Sequence, residues 1–110
     1  MAPLVLVDAE NVRRSKWPNV GRAELVRLVE RWAQAEGLPV RVVFDGRAPA
    51  GAIGTRGESA DDLIAREAAE LAARDEPYWL VSSDRGLRER AAGPAERVVG
   101  GGAFLRELLE

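Results

Sequence analysis

The sequence predicts an α/β protein, a three-layer α/β/α sandwich built on a four-stranded parallel sheet in the spatial order 2-1-3-4. Three observations lead there. Four short runs of mostly branched apolar residues, Leu4–Val7, Val40–Phe44, Trp79–Ser82 and Arg97–Val99, are near-continuous rather than alternating, as strands covered on both faces must be. Helical patterns fall between these runs. Strands alternating with helices then require right-handed crossovers that place helices on both sides of the sheet. At 110 residues the chain is expected to form one domain, 1–110, and to bury about 65% of its unfolded surface.

Taken in order, the first run, LVLV, leads into Asp8. Residues 22–36 place Leu25, Leu28, Val29 and Trp32 on one face, and Gly37 is a natural stop. The second strand follows at Val40–Phe44. Residues 60–74 place Leu63, Ile64, Ala68 and Leu71 on one face, with Ser59 as N-cap and Asp62 three positions on. The third strand, with Trp79, precedes a short helix at about 86–92, which ends before Gly93–Pro94. The weakest strand, Arg97–Val99, and a helix at about 103–109 carrying Phe104, Leu105, Leu108 and Leu109 complete the chain. Trp32 and Trp79 fall on core faces. Segments 13–21 and 46–58 lack periodicity, and the second is glycine-rich and long enough to be a functional or mobile loop.

Composition narrows the chemistry. With 46% hydrophobic and 31% charged residues the chain is an ordinary globular sequence. It has no cysteine and no histidine, which removes disulfides, thiolate zinc sites, and catalysis by an imidazole base. Hydrolytic chemistry is left to carboxylates working through a hard, oxygen-preferring cation, Mg2+ or Mn2+. The net charge of −2 argues against a broad basic coat but leaves room for a positive rim around an acidic centre. Residues Met1–Pro3 run straight into the first strand without a basic, apolar leader, so a cytoplasmic location and no membrane association are expected. The sequence is compatible with a homodimer as with a monomer.

Ligands of open α/β sheets bind beyond the carboxyl ends of the strands, near the point where strand order reverses. Strand one ends in Asp8, followed by Glu10 and Asn11; strand two ends in Asp45; strand three ends in Ser82, Ser83 and Asp84. Asp61 and Asp62 open the helix whose N-terminus faces the same edge, so of six aspartates only Asp75 lies elsewhere. Four carboxylates at Asp8, Asp45, Asp61 and Asp84 would repel one another and hold their protons unless a cation sat among them. Each aspartate taken singly also reads as a cap for the next turn, and Asp62 reads better as a capping and dipole residue than as a ligand.

Four motifs carry a family resemblance. LVLVDAEN, from Leu4 to Asn11, resembles the opening strand of NYN domains, a branch of the PIN-like ribonucleases. Val42–Phe44 with Asp45 and Gly46 is similar to the second-strand motif of the YacP-like subgroup. Glu58, Ser59, Ala60 and Asp61 look like that subgroup's acidic helix start. Leu80–Arg85, LVSSDR, resembles the motif that ends the third strand. The resemblance runs in order through nearly the whole chain. It implies a PIN-like fold and a metal-dependent endoribonuclease, with Asp8, Asp61 and Asp84 as metal-binding carboxylates and Asp45 as an accessory ligand or supporting group. Asn11 would orient Asp8 or the scissile phosphate. Ser83 would bond a phosphate or a metal-bound water, or simply shape a turn. Glu10 stands where relatives carry an aromatic or small residue, which makes it a further candidate carboxylate.

An RNA partner requires positive charge beside the acids. Candidates are Arg13, Arg14 and Lys16 after strand one, Arg47 and Arg56 in the long loop, and Arg85 and Arg88 after strand three, each set against a plain reading as solvated surface charge. Trp17 either stacks on an unpaired base or packs beneath its loop. Phosphatases of the haloacid dehalogenase type and response-regulator receivers also place aspartates at strand ends. Both need a later lysine, whereas the one lysine here is Lys16. The remaining rival is a PIN-like domain that binds RNA or a protein without cutting.

Overall fold

A computed structural model describes residues 1–110. The strands are β1 (Leu4–Asp8), β2 (Val40–Phe44), β3 (Ile53–Gly54), β4 (Tyr78–Val81) and β5 (Arg97–Val99). The helices are α1 (Ala9–Arg13), α2 (Arg22–Glu36), α3 (Ala60–Ala73), α4 (Arg85–Ala91) and α5 (Gly101–Leu109). All strands are parallel and lie in the order β3-β2-β1-β4-β5. The inner order of the four expected strands is as anticipated, but the sheet has five strands rather than four.

The additional strand, β3, lies inside the glycine-rich segment expected to be loop. Ile53 and Gly54 pair with Val43 and Phe44 at the outer edge of β2. Two residues cannot show a period, so no pattern announces them. The loop is pinned at its base: Thr55 N–H donates to the Gly46 carbonyl (2.9 Å) and Gly46 N–H to Thr55 Oγ1 (2.9 Å). A Cβ on Gly54 would collide with the Gly46 carbonyl oxygen, so this strand tolerates only glycine at that position. The short helix α1 also escapes the sequence pattern. It continues directly from β1 and buries just Ala9 and Val12.

The sheet's alternation divides the core in two. Val5 and Val7 of β1, Val42 and Phe44 of β2, and Val81 of β4 face one layer, where they meet Leu25, Val26 and Val29 of α2 and Phe104, Leu105 and Leu108 of α5. Leu6, Val43, Tyr78 and Leu80 face the other layer, against Leu63, Ile64, Ala68 and Leu71 of α3 and Leu87 and Ala91 of α4. Trp32 and Trp79 pack on the first of these clusters as expected, Trp32 edge-on to Phe104 with ring centroids 4.9 Å apart. Each Val, Leu, Ile or Phe side chain so buried contributes roughly 1.5–3 kcal/mol.

The helix boundaries follow from local chemistry. Helix α2 stops at Gly37, whose φ of 69° is the left-handed conformation that glycine adopts freely. Helix α3 starts where Ser59 Oγ accepts the Asp62 N–H at 3.0 Å, as the Ser59–Asp62 spacing implies. No helix is long and apolar enough to cross a membrane.

Because an alanine at position 54 must push the Gly46 backbone aside, Gly54→Ala is expected to destabilise the chain by about 1–3 kcal/mol. Urea unfolding of the variant beside the parent protein checks this.

Candidate metal centre

The alternation that builds the core also aims the polar ends of the strands. In β1, Leu6 faces the α3–α4 layer, so Asp8, two residues on, faces the same way. The β1–β4 register sets Val7 beside Val81, which brings Ser82 next to Asp8. Ser82 Oγ donates to Asp8 Oδ2 at 2.8 Å and accepts the Asp84 N–H at 3.0 Å. Ser82 is fully buried and Asp8 is 6% exposed. One serine thus ties the carboxylate ending β1 to the backbone that carries the next one.

Asp84 is the N-cap of α4, its Oδ1 accepting the Gly86 N–H at 2.9 Å. Asp61 stands in the first turn of α3, a turn held by Ser59 and by Asp45, whose Oδ1 accepts the Ala60 N–H at 2.7 Å. Asp8, Asp61 and Asp84 each offer a carboxylate oxygen, and the three oxygens lie within 4.8 Å of one another. They sit in an open cleft of about 500 Å³ with no hydrophobic residue in its lining.

The electrostatics are those of an uncompensated cluster. Burial, more than any neighbour, pushes the Asp8 carboxyl up to about 6 from 3.8; the negative charges of Asp61, Asp84 and Asp45 add to the shift and the Ser82 hydrogen bond opposes it. Asp61 is raised as well, by burial first and then by Asp84 beside it, with Arg90 partly offsetting. No basic side chain forms an ion pair with any member of the triad: the nearby Arg90 instead bonds Asp62 Oδ1 at 2.9 Å. An all-oxygen donor set drawn from three separate elements, with two members held above the ordinary carboxylate range, suits a hard divalent cation.

The other residues singled out in the sequence fall into distinct places. Asp45 lines the cleft but lies outside the three-oxygen group, with one oxygen engaged in capping α3. Asn11 lines the cleft, and its Oδ1 accepts the Ser83 N–H at 2.8 Å. Ser83 also lines it, while its Oγ accepts the Gly101 N–H at 2.8 Å, a bond that joins the end of β4 to α5. Glu10 is drawn to arginines rather than to the triad. Arg13 grips it with two bonds of 2.8 and 2.9 Å, Arg14 approaches to 3.2 Å, and the Arg13 hydrogen bond leads in holding its carboxyl below the usual range.

The basic candidates divide likewise. Arg13 spends all its guanidinium nitrogens on Glu10 and the Val20 carbonyl. Arg88 Nε donates to the Ser82 carbonyl at 2.7 Å, bracing the strand end. Arg13 therefore has no nitrogen left for a phosphate, whereas Arg88 is held at Nε alone. Arg14 lines the cleft, two-thirds exposed. Lys16, Arg47, Arg56 and Arg85 are exposed, Arg85 forming a loose pair with Glu89 at 3.4 Å. Trp17 is 84% exposed and packs beneath nothing.

No sequence-family model matches the chain, and no curated protein sequence matches it. Solved structures do. The tryptophan-to-leucine variant of Rae1 (YacP) from Bacillus subtilis superimposes with a TM-score of 0.77 at 24% identity, covering 96% of this chain and 74% of the other. The fold is YacP-like. Rae1 without that substitution gives a TM-score of 0.71 at 22% identity, covering 99% of this chain and 74% of its own. The YacP-like fold is the one the four motifs imply, and at this identity it is the fold alone that is shared.

The sequence places Ser82 at the end of the third strand but gives it no role, although the signal for one is present. A serine two residues before Asp84 shares Asp84's side of the strand by parity and lies one register step from Asp8. Sequence reasoning also passed over Ser15 and Ser59 as cleft-lining residues. Their exposure depends on where α1 ends and α3 begins, which spacing does not reveal.

Since the folded chain holds the Asp8 proton more tightly than the unfolded chain does, this group favours folding most below about pH 4. That advantage is lost as the pH rises through about 6, by about 3 kcal/mol in all. In EDTA, the stability of the parent protein relative to Asp8→Asn is therefore expected to fall between pH 4 and pH 7. Thermal melts of both proteins across that range measure the difference. A flat difference would show that Asp8 carries no such penalty.

Proposed function

We propose that this chain is a divalent-metal-dependent endoribonuclease that hydrolyses RNA phosphodiester bonds with Mg2+ or Mn2+. The observation that carries the reading is the convergence of Asp8, Asp61 and Asp84 in an open, wholly polar cleft. The YacP-like fold and the family motifs in the sequence support it. When bound, the cation supplies charge neutralisation at a phosphate oxygen and a more acidic water. Hydrolysis adds one water across the P–O bond, leaving a phosphate monoester on one fragment and a hydroxyl on the other.

The chain's own residues position and neutralise. Asp8, Asp61 and Asp84 hold the cation. Ser82 fixes Asp8 by donating to Oδ2, which leaves Oδ1 to face the cleft. Capping α4 with Oδ1 likewise fixes the Asp84 rotamer and leaves Oδ2. Asp45 acts through α3, its bond to Ala60 N–H setting where Asp61 stands. Asn11, with Oδ1 engaged by Ser83, turns its amide nitrogen to the substrate as a donor. Arg14 stands at the cleft wall, steered by Glu10, as a counter-charge for a phosphate.

A cleavage assay on mixed RNA with Mn2+, Mg2+ or EDTA tests the reading. Cleavage is expected only with metal, and Asp84→Asn and Asp61→Asn are each expected to lower the rate at least about a hundredfold, in line with removal of one strong electrostatic contact. Cleavage that persists in EDTA, or equal rates in the two variants and the parent, would overturn it. Metal-stabilised protein that never cuts would point instead to a non-cleaving RNA- or protein-binding domain.

A further inference from the structure

A second groove, of about 260 Å³, opens beside the acidic cleft. Ser15 lines both, so the two adjoin. The other walls of the second groove are Lys16, Gly102, Leu105 and Arg106. Its charge is the reverse of the cleft's, with two cations and no acid. Neither Lys16 nor Arg106 has a carboxylate within ion-pair distance, although acids outnumber bases in the chain. Glu107, next to Arg106, is occupied by Trp32 Nε1 at 2.6 Å and does not neutralise the groove. Gly102 keeps the floor open: even with a Cβ there, the nearest atom would be Ser15 Cβ at 3.9 Å. Trp17 follows Lys16 directly, and its ring is 84% exposed.

The exposed indole of Trp17 thus directly follows, along the chain, a residue that lines a groove with two unpaired cations. A free π-face next to positive charge is the arrangement that holds an unpaired base over its own phosphate. We propose that this groove is a nucleotide subsite. One nucleotide flanking the scissile bond lies there, its phosphate against Lys16 and Arg106 and its unpaired base on Trp17. The subsite rests on the RNA reading of the acidic cleft, which it extends by one position. It also sets a requirement: the strand on this side of the cut must be unpaired, because a paired base has no face to offer Trp17.

The test measures binding without cleavage. In EDTA, a fluorescently labelled, unstructured RNA octamer is titrated with the parent protein, with Trp17→Ala, and with the Lys16→Ala/Arg106→Ala double variant. An Arg27→Ala/Arg31→Ala control removes two exposed arginines from α2. Quenching of tryptophan emission on binding is expected for the parent and lost in Trp17→Ala, since Trp32 and Trp79 are half-buried against the core and line neither groove. The Lys16/Arg106 variant is expected to weaken binding at least about tenfold and to flatten the slope of log affinity against log salt by about 1.4, two phosphate contacts at about 0.7 each. The α2 control is expected to do neither.

Equal weakening by the control would reduce the effect to general charge and overturn the subsite. So would binding without quenching, or no binding. An octamer locked in a duplex is expected to bind more weakly than the single strand, and equal affinity would likewise contradict the stacking role. The outcomes separate from those of the nuclease reading. Quenched, Lys16-dependent binding with no cleavage in Mn2+ keeps the subsite and removes the nuclease. Cleavage indifferent to these residues does the reverse.

Discussion

A carboxylate at the carboxyl end of a central strand, held where a bare negative charge is costly, is the constraint around which the rest of this structure is arranged. Asp8 ends β1, which is flanked by a strand on both sides and covered by helices on both faces. Two more aspartates converge on it, and each raises the cost of charging Asp8. A fold driven only by stability would place an apolar residue or an arginine there. Instead, the neighbouring backbone is committed to holding the acids still: Ser82 links Asp8 to Asp84, and Asp45 and Ser59 together fix the turn of α3 that carries Asp61. Rigid placement of mutually repelling groups is the signature expected of a site built for a cation.

The basic residues reinforce that division of labour. Arg13 and Arg88 look from the sequence like a phosphate-binding rim, yet one is consumed by Glu10 and the Val20 carbonyl and the other braces the Ser82 carbonyl. Glu10, which the sequence offers as an extra carboxylate, works as an arginine anchor that keeps Arg14 near the cleft. Positive charge without an acidic partner stays at Lys16 and Arg106, where the turn after α1 meets α5, and at Arg47 and Arg56 in the long loop.

What the sequence disclosed was what periodicity and parity encode. The inner strand order, the span of α2 and the capped start of α3 followed from apolar runs and from Ser59 and Gly37. The gathering of aspartates at one sheet edge followed from strand ends and the switch-point rule. What stayed hidden is set by tertiary geometry. Strand β3 is two residues long and exists because Gly54 lets the chain lie against the Gly46 carbonyl. Helix α1 buries too few residues to show a period. The difference between Asp45 as a ligand and Asp45 as the cap of Ala60 is a matter of a few ångströms, and no spacing in the chain specifies it.

The account stands on the three carboxylates sharing one ion. A crystal grown with millimolar Mn2+ and measured for anomalous scattering addresses this directly. A single strong manganese peak bonded to oxygens of Asp8, Asp61 and Asp84 is the predicted result. Manganese sites elsewhere on the surface with none among these three side chains would contradict it.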